Sequence, residues 1–152
     1  MKPNRLNRFS LLCSLIYYLI VCCPPTLTAQ QQPREVVRIL AVGNSFSDDG
    51  VEYLDELAKA AGIRLIVGNL YIGGCSLERH WENVSKGLPA YDYRKNCEGV
   101  QSNTPKTSLL SALQDEPWDY ITVQQVSQNS GLYDTYYPFM PSLLPVSYTH
   151  LR

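Results

Sequence analysis

The chain has 152 residues, of which 45% are hydrophobic and 18% are charged, and its formal net charge at pH 7 is −1. This length suits one domain. A chain so close to neutral offers no electrostatic basis for binding nucleic acid or an anionic membrane surface, so we expect neither as a partner.

Residues 1–29 have the three-part layout of a secretory signal peptide. Three basic residues lie within the first eight, residues 9–23 are mostly apolar, and two prolines precede small residues that end at Ala29. The apolar stretch is shorter than the about 20 residues that a spanning helix needs. We therefore predict export to the periplasm or the extracellular space, with no stable membrane span after cleavage. An uncleaved anchor and a lipid anchor at Cys22 are the alternatives.

Beyond this segment the chain has two cysteines, Cys75 and Cys97. In an oxidising compartment two cysteines favour one disulfide. That bond would close a loop of about twenty residues and contribute roughly 3 kcal/mol to stability. Two independent thiols are the alternative. The sequence has no Cys/His cluster of the kind that binds metal, and no metal or organic cofactor is predicted.

The first elements predict a β-α-β unit that follows a polar lead-in over residues 30–35. Residues 36–42 are mostly apolar and β-branched, which is typical of a strand buried on both faces of a parallel sheet. A helix is predicted over 50–61, with Asp49 as its cap and Glu52 as the partner of a capping box. Residues 64–70 form the second strand, and parallel pairing with a right-handed crossover is expected.

The rest of the chain continues the alternation of strands and helices. The predicted elements are a short helix capped by Ser76 and running through Val84, a strand over 91–97, a turn at Glu98-Gly99, a loop over 101–106, a helix opened by Thr107 or Ser108, and a third strand over 118–123. This order predicts an α/β fold with a parallel sheet.

The C-terminal residues predict no regular element. Residues 136–144 establish no helix with a clear apolar face, and residues 145–152 read as a non-native tail. The domain is therefore expected over 36–144, with a sheet that is incomplete at its C-terminus.

Ser45 is the leading candidate for a catalytic residue. It follows the first predicted strand, at the position where open α/β sheets place their ligands. The start of a helix beside it favours negative charge, which an acyl-transfer transition state develops. The alternative is a serine that only caps a helix.

Three blocks carry a resemblance to a known family. They are ILAVGNSFS (39–47), GNLYIGGCSLERHW (68–81) and WDYITVQQ (118–125). In this order they resemble the SGNH hydrolase superfamily, also called GDSL-like hydrolases, in a branch common among secreted bacterial proteins. The resemblance implies a flavodoxin-like, three-layer α/β/α fold and serine esterase activity.

The resemblance also assigns roles at the predicted site. Ser45 matches the nucleophile, and its N–H with that of Gly74 matches the oxyanion hole, although Gly73 could serve instead of Gly74. The superfamily usually places Asn as a third donor after the third strand, and Gln125 is the candidate here. Gly73-Gly74 as a simple tight turn is the alternative.

Three further residues are candidates for substrate contact. Asn44 stands where many relatives have Asp, and Gln124 precedes the proposed third donor. His80 is predicted either to contact substrate at the pocket rim or to be a half-buried helix residue beside Trp81.

The Asp-x-x-His block that supplies the family's base is absent from the sequence. His150 lies in the predicted non-native tail over residues 145–152, so we do not interpret it as the base. A serine without a base is a poor nucleophile, so we expect little activity. The resemblance implies an exported serine ester hydrolase for a small-molecule or glycan ester, with a carbohydrate O-acyl or acetyl ester as one candidate substrate. A non-catalytic carbohydrate-binding module that kept the fold is the alternative.

Overall fold

The computed structural model of the chain describes residues 36–149. The predicted signal peptide, the polar lead-in and His150 lie outside the described residues. The strands are β1 (Val36–Gly43), β2 (Arg64–Tyr71), β3 (Tyr91–Cys97), β4 (Val100–Thr107) and β5 (Tyr120–Val123). The helices are α1 (Ser45–Val51), α2 (Leu54–Ala60), α3 (Leu77–Ser85), α4 (Leu109–Leu113) and α5 (Phe139–Tyr148). Short 3₁₀ helices span Ser127–Asn129 and Tyr133–Tyr136.

The strands form one five-stranded sheet in the order β4-β3-β2-β1-β5. Strand β1 pairs in parallel with β2 and with β5, so the predicted β-α-β unit is confirmed. Strands β3 and β4 are antiparallel to their neighbours. The α/β class is therefore confirmed, but the sheet is mixed, whereas the prediction was a parallel sheet.

The β3-β4 hairpin shows why the prediction missed a strand. The strand over 91–97 is confirmed, but residues 101–106, predicted as a loop, lie within β4. Nearly all of β4 is exposed, so it carries no apolar alternation that a sequence pattern could reveal. Pro105 also weakens the signal, although proline is tolerated in edge strands. Backbone pairing with β3 makes this segment a strand.

The prediction of a single helix over 50–61 is wrong. Two short helices replace it, and the first begins at Ser45, well before the predicted Asp49 cap. Asn44 caps α1, since its side-chain oxygen accepts a hydrogen bond from the N–H of Phe46 at 3.1 Å. The correction places Ser45 in the first turn of a helix that starts directly after β1.

One face of the sheet carries the main core. Leu40, Leu70 and Trp118 are fully buried there among other apolar side chains. Trp118 lies across Gly68, where an added Cβ would come within 2.9 Å of the Trp118 ring, Leu40 and Tyr93. The indole N–H of Trp118 donates to the Ala112 carbonyl at 2.8 Å, which satisfies its one polar atom.

Helix α5 corrects the prediction that residues 136–144 and 145–152 form no element. Pro141 lies in its first turn, where the missing N–H has no intrahelical partner in any case. Pro145 lies inside the helix. Because proline is unfavourable in a helix interior, its presence in the sequence argues against a helix there. Leu143 and Ser147 face inward and are buried. No helix within residues 36–149 is long and apolar enough to cross a membrane.

Candidate functional site

Ser45 lies where the sequence placed it, at the carboxyl end of β1. It is the first residue of α1, and its side chain is exposed. Within the described part of the chain, its hydroxyl and its N–H make no hydrogen bond. Both groups are therefore open to a ligand. The cap of α1 is provided by Asn44, so the alternative role of Ser45 as a cap does not apply.

Asn44 ties together the loops that follow three strands. Besides capping α1, its side-chain N–H₂ donates to the carbonyl of Cys75 at 3.1 Å and to that of Gln125 at 3.4 Å. The residue is only 1% exposed. Contrary to the prediction, Asn44 is therefore not placed to contact substrate. It instead fixes the loops after β2 and β5 beside the start of α1.

The Gly73-Gly74 loop is held close to the end of β1. The N–H of Ile72 donates to the Gly43 carbonyl at 3.2 Å, and the N–H of Cys75 donates to Ile72 at 3.2 Å. Gly74 has a φ of +62°, which a residue with a side chain rarely adopts. Among the described residues, nothing accepts a hydrogen bond from the N–H of Gly73 or Gly74. Both exposed glycines therefore offer donors on the side of the fold where Ser45 lies.

Gln125 does not fit the predicted role of third oxyanion donor. Its side-chain N–H₂ donates to the carbonyl and the hydroxyl of Thr135, at 3.0 and 3.2 Å. Its side-chain oxygen accepts from the N–H groups of Leu77 and Val126, at 3.0 and 2.9 Å. All the polar groups of the Gln125 side chain are hydrogen-bonded, and the residue is only 5% exposed, so Gln125 connects three loops.

Gln124 lies beside a small cavity of about 260 Å³, which Phe46 and Tyr136 also line. Its side-chain oxygen is buried and has no hydrogen-bond partner within the described residues. A Cβ on Gly43 would come within 2.8 Å of that oxygen and 2.7 Å of the Ser47 hydroxyl, so only glycine fits there. Gln124 thus remains a candidate for substrate contact.

His80 is buried, in contrast to both predictions for it. It is fully inaccessible, and its Nδ1 lies 3.0 Å from the Tyr91 hydroxyl and 3.5 Å from the Cys75 sulfur. Burial, with a smaller effect of Arg79, lowers the pKa of His80 to about 4. Burial also raises the pKa of Cys75 to about 11. The pair is neutral near pH 7 and forms part of the core beneath α3.

The predicted Cys75–Cys97 disulfide is wrong, because both thiols are free. Cys97 pairs with Ile66 near the start of β2, whereas Cys75 follows the end of that strand at Tyr71. Five residues of strand separate Ile66 from Tyr71, which is roughly 17 Å. A disulfide needs Cα atoms within about 7 Å.

A polar network missed by the sequence analysis anchors α1 to the sheet. The Ser47 hydroxyl lies 2.8 Å from the Asn44 carbonyl and 3.0 Å from the side-chain oxygen of Asn69. The Asn69 amide donates to Asp48 at 2.9 Å, and Arg94 pairs with Asp48 at 2.5 Å. The available signal was Asn69 itself, since a polar residue inside an apolar strand must find partners when buried.

Within residues 36–149, no group of three His, Cys, Asp or Glu side chains is placed to hold a metal ion.

The candidate site brings together Ser45 and the Gly73-Gly74 loop, with Gln124 at its edge. It does not include His80 or the predicted disulfide, and it uses Asn44 and Gln125 as internal braces.

Two comparisons bear on the family. The profile of a family described as "Domain of unknown function (DUF4886)" matches residues 38–150. A crystal structure at 1.50 Å resolution of a DUF4886 family protein from Bacteroides uniformis ATCC 8492 is similar to this chain, with 48% identity and a TM-score of 0.75. The match covers 78% of this chain and 46% of that protein, so the chain spans less than half of that relative's length.

No curated protein matches the chain. Neither the family description nor the solved relative names an SGNH hydrolase, so that resemblance remains a prediction. The family match covers most of the sequence and includes every described strand and helix apart from the first two residues of β1. The chain belongs to the DUF4886 family.

Proposed function

We propose that the protein is a serine ester hydrolase in which Ser45 is the nucleophile. The observation that carries this proposal is the exposed, unbonded hydroxyl of Ser45 at the first position of α1, directly after β1. A serine that served only to cap the helix would have its hydroxyl engaged, and here Asn44 fills that role.

The proposed oxyanion hole consists of backbone N–H groups. Those of Ser45, Gly73 and Gly74 have no acceptor within residues 36–149, and the Asn44 bond to Cys75 holds their two loops together. Backbone donors fixed before the reaction stabilise an oxyanion without reorganisation, and the loss of one typically costs about 2.7–4 kcal/mol in the barrier. This arrangement uses no side-chain amide from Gln125.

The acyl group would occupy the 260 Å³ cavity beside Phe46, which is the neighbour of Ser45 in α1. This volume suits a short acyl chain such as acetyl and lies below the about 300–1,000 Å³ of sites for drug-sized ligands. Gln124 also lines this cavity, with its side-chain oxygen buried.

No described residue is placed to act as the base. His80 is the one histidine within residues 36–149, and it is fully buried against Tyr91 with a lowered pKa. A buried imidazole cannot accept a proton from an exposed hydroxyl. We therefore expect weak Ser45-dependent hydrolysis by this chain, and we propose that the base of the active family member comes from beyond the described residues.

The test uses a probe whose reaction can give up the serine proton to the solvent instead of to a catalytic base. The oxygen of an accessible serine bonds to the boron of a short alkyl boronic acid, its proton passes to water, and ¹¹B NMR detects the tetrahedral anion. We expect an adduct with the full chain that is absent from Ser45→Ala and retained in the nearby control Ser127→Ala. An adduct that persists in Ser45→Ala, or no adduct with any form of a folded protein, would reject Ser45 as the nucleophile.

We also propose the finer fold and the location that the sequence predicted. The parallel strands β2-β1-β5 support a relationship to the SGNH hydrolases, with the β3-β4 hairpin as an addition at one edge. The layout of residues 1–29 supports export. The cysteines no longer support it, because they form no disulfide. N-terminal sequencing of the secreted or periplasmic protein would test cleavage after Ala29.

A further inference from the structure

A larger groove of about 660 Å³ lies on the sheet face that carries α1. One wall is the end of α1 and the turn after it, with Asp48, Asp49 and Glu52. The floor is the polar face of β2, β3 and β4. We call this feature the hairpin groove. Its volume falls within the range of sites that bind small ligands.

The floor of the hairpin groove consists of two rows of side chains that cross three strands. Asn69, Arg94 and Asn103 are paired across β2, β3 and β4 and form the first row. Val67, Asn96 and Gln101 form the second row in the same way. Residues paired directly across antiparallel strands share a face of the sheet, so these side chains lie together.

The amides on β4 are open to a ligand. Gln101 and Asn103 are exposed, and neither side chain bonds another residue within the described part of the chain. Each amide carries both donors and acceptors. The side-chain oxygen of Asn96 already accepts from the Gly99 N–H at 2.7 Å, so Asn96 is partly committed to the hairpin turn.

The charges of the hairpin groove disfavour an anion. Arg94 is paired with Asp48 at 2.5 Å. The Lys95 side chain points to the opposite face of the sheet, where its ammonium is paired with Asp115 and Glu116, at 2.6 Å each. On the opposite wall, Asp49 and Glu52 are exposed, and neither forms an ion pair among the described residues. The wall is therefore net negative, and a phosphate or carboxylate ligand would be repelled.

We propose that the hairpin groove binds a neutral oligosaccharide. A sugar hydroxyl both donates and accepts, so it can use the donors and the acceptors of Gln101 and Asn103 and can donate to Asp49 and Glu52. A basic peptide would be attracted to the carboxylates, but its charged side chains only donate, so only its backbone carbonyls could accept from the amide N–H groups of the floor. For that reason the amide floor favours the glycan.

The hairpin groove adjoins the proposed nucleophile. Asp48 and Asp49 lie about one helical turn after Ser45 on α1, a rise of about 5 Å. If the proposed function is correct, the groove binds the glycan part of an ester whose acyl group reaches Ser45. This last step rests on the proposed function, whereas glycan binding itself does not.

The binding test uses isothermal titration calorimetry with the full chain. The probes are the neutral hexasaccharides cellohexaose, xylohexaose and mannohexaose, with hexagalacturonate and hexalysine for comparison. We expect at least one neutral glycan to bind, and Gln101→Ala/Asn103→Ala to weaken it at least tenfold. The matched control Val100→Ala/Thr104→Ala alters the opposite face of the same strand and should leave affinity unchanged.

The outcomes separate this proposal from the previous one. Failure of all neutral glycans, equal binding by the groove variant, or groove-dependent binding of hexalysine instead would overturn the glycan site. The groove variant should still form the boronate adduct at Ser45. Glycan binding without any Ser45 adduct would reject the hydrolase while leaving the glycan site intact, and the reverse result would reject only the glycan site.

Discussion

The parallel strands and the β3-β4 hairpin use polar side chains in opposite ways. At the carboxyl ends of β1, β2 and β5, Asn44 and Gln125 are buried and fully engaged in holding loops together. On β4, Gln101 and Asn103 are exposed and unbonded within the described residues. The same amide group is therefore a structural brace in one region and an available binding group in the other.

This difference determines which groups are available to a ligand in each region. Because the Asn44 and Gln125 side chains are occupied, the exposed groups left for a ligand there are the Ser45 hydroxyl and the N–H groups of Ser45, Gly73 and Gly74. In the hairpin groove the available groups are side chains. Substitution should therefore damage folding in the first region and binding in the second.

The largest effect is expected from Asn44→Ala. This change removes the cap of α1 and leaves the buried carbonyls of Cys75 and Gln125 without a donor. We expect a loss of about 3 kcal/mol in the free energy of unfolding, measured by urea denaturation. Asn44→Asp keeps the capping oxygen but turns a buried carboxylate oxygen toward the Cys75 and Gln125 carbonyls, so it should recover little of this loss. A loss below about 1 kcal/mol for Asn44→Ala would show that Asn44 does not brace the loops.

Acid should destabilise the protein through His80. Its pKa is about 4 when folded, below the ordinary value of 6.5, because burial disfavours the charged form. The unfolded chain therefore binds the proton first, and stability is lost as the pH falls from about 6.5 to about 4. The shift corresponds to about 3 kcal/mol as an order of magnitude.

The His80 prediction is checked by urea unfolding at several pH values. His80→Phe, which removes the titrating group from the core, should flatten the profile between pH 6.5 and 4. The profile of an Arg79→Gln control should stay steep, because burial and not Arg79 is the main cause of the shift. Equal slopes for the wild type and His80→Phe would contradict the burial of a neutral imidazole.

Gly68→Ala should destabilise the core beneath Trp118. The added methyl would come within 2.9 Å of Leu40, Tyr93 and Trp118, and such overpacking typically costs about 1–3 kcal/mol. Gly50→Ala is the matched control, because nothing lies within 4 Å of its added Cβ and it sits inside α1. It should stabilise by about 0.5–1 kcal/mol. Thermal unfolding measures both, and a neutral Gly68→Ala would refute the close approach of the indole.

The smallest effect on stability is expected from Gln101→Ala/Asn103→Ala. These exposed side chains have no partner within the described residues, and such surface changes usually stay within about 0.5 kcal/mol. Urea unfolding should show a midpoint close to that of the wild type. A large loss of stability would mean that these amides are braces, like Asn44, and would remove the contrast between the two regions.

The local patterns of the sequence predicted much of the parallel part of the sheet. The apolar, β-branched run before Gly43 identified β1, Ser76 was correctly predicted as a helix cap, and Ser108 is one of the two residues predicted to open the later helix. The position of Ser45 at the end of β1 also agrees with the prediction. These features succeed because each depends on the residue itself and on its nearest neighbours along the chain.

The wrong predictions concern features that depend on contacts between residues far apart in the chain. Gln125 has the chemistry of an oxyanion donor, but Thr135 and Leu77 occupy its groups. His80 has the chemistry of a surface contact, but packing against Tyr91 buries it. Strand β4 has no apolar alternation, and it exists because β3 offers a backbone edge.

The sequence by itself determined the β1-helix-β2 order, the position of Ser45 at the end of a strand and the glycine loop after β2, because hydrophobic runs, caps and glycines act over a few residues. Only the tertiary structure decided which polar groups are free. A hydrogen bond between loops, such as that from Asn44 to Cys75, joins residues far apart in the chain, and no spacing along the sequence can encode whether a donor has already been used.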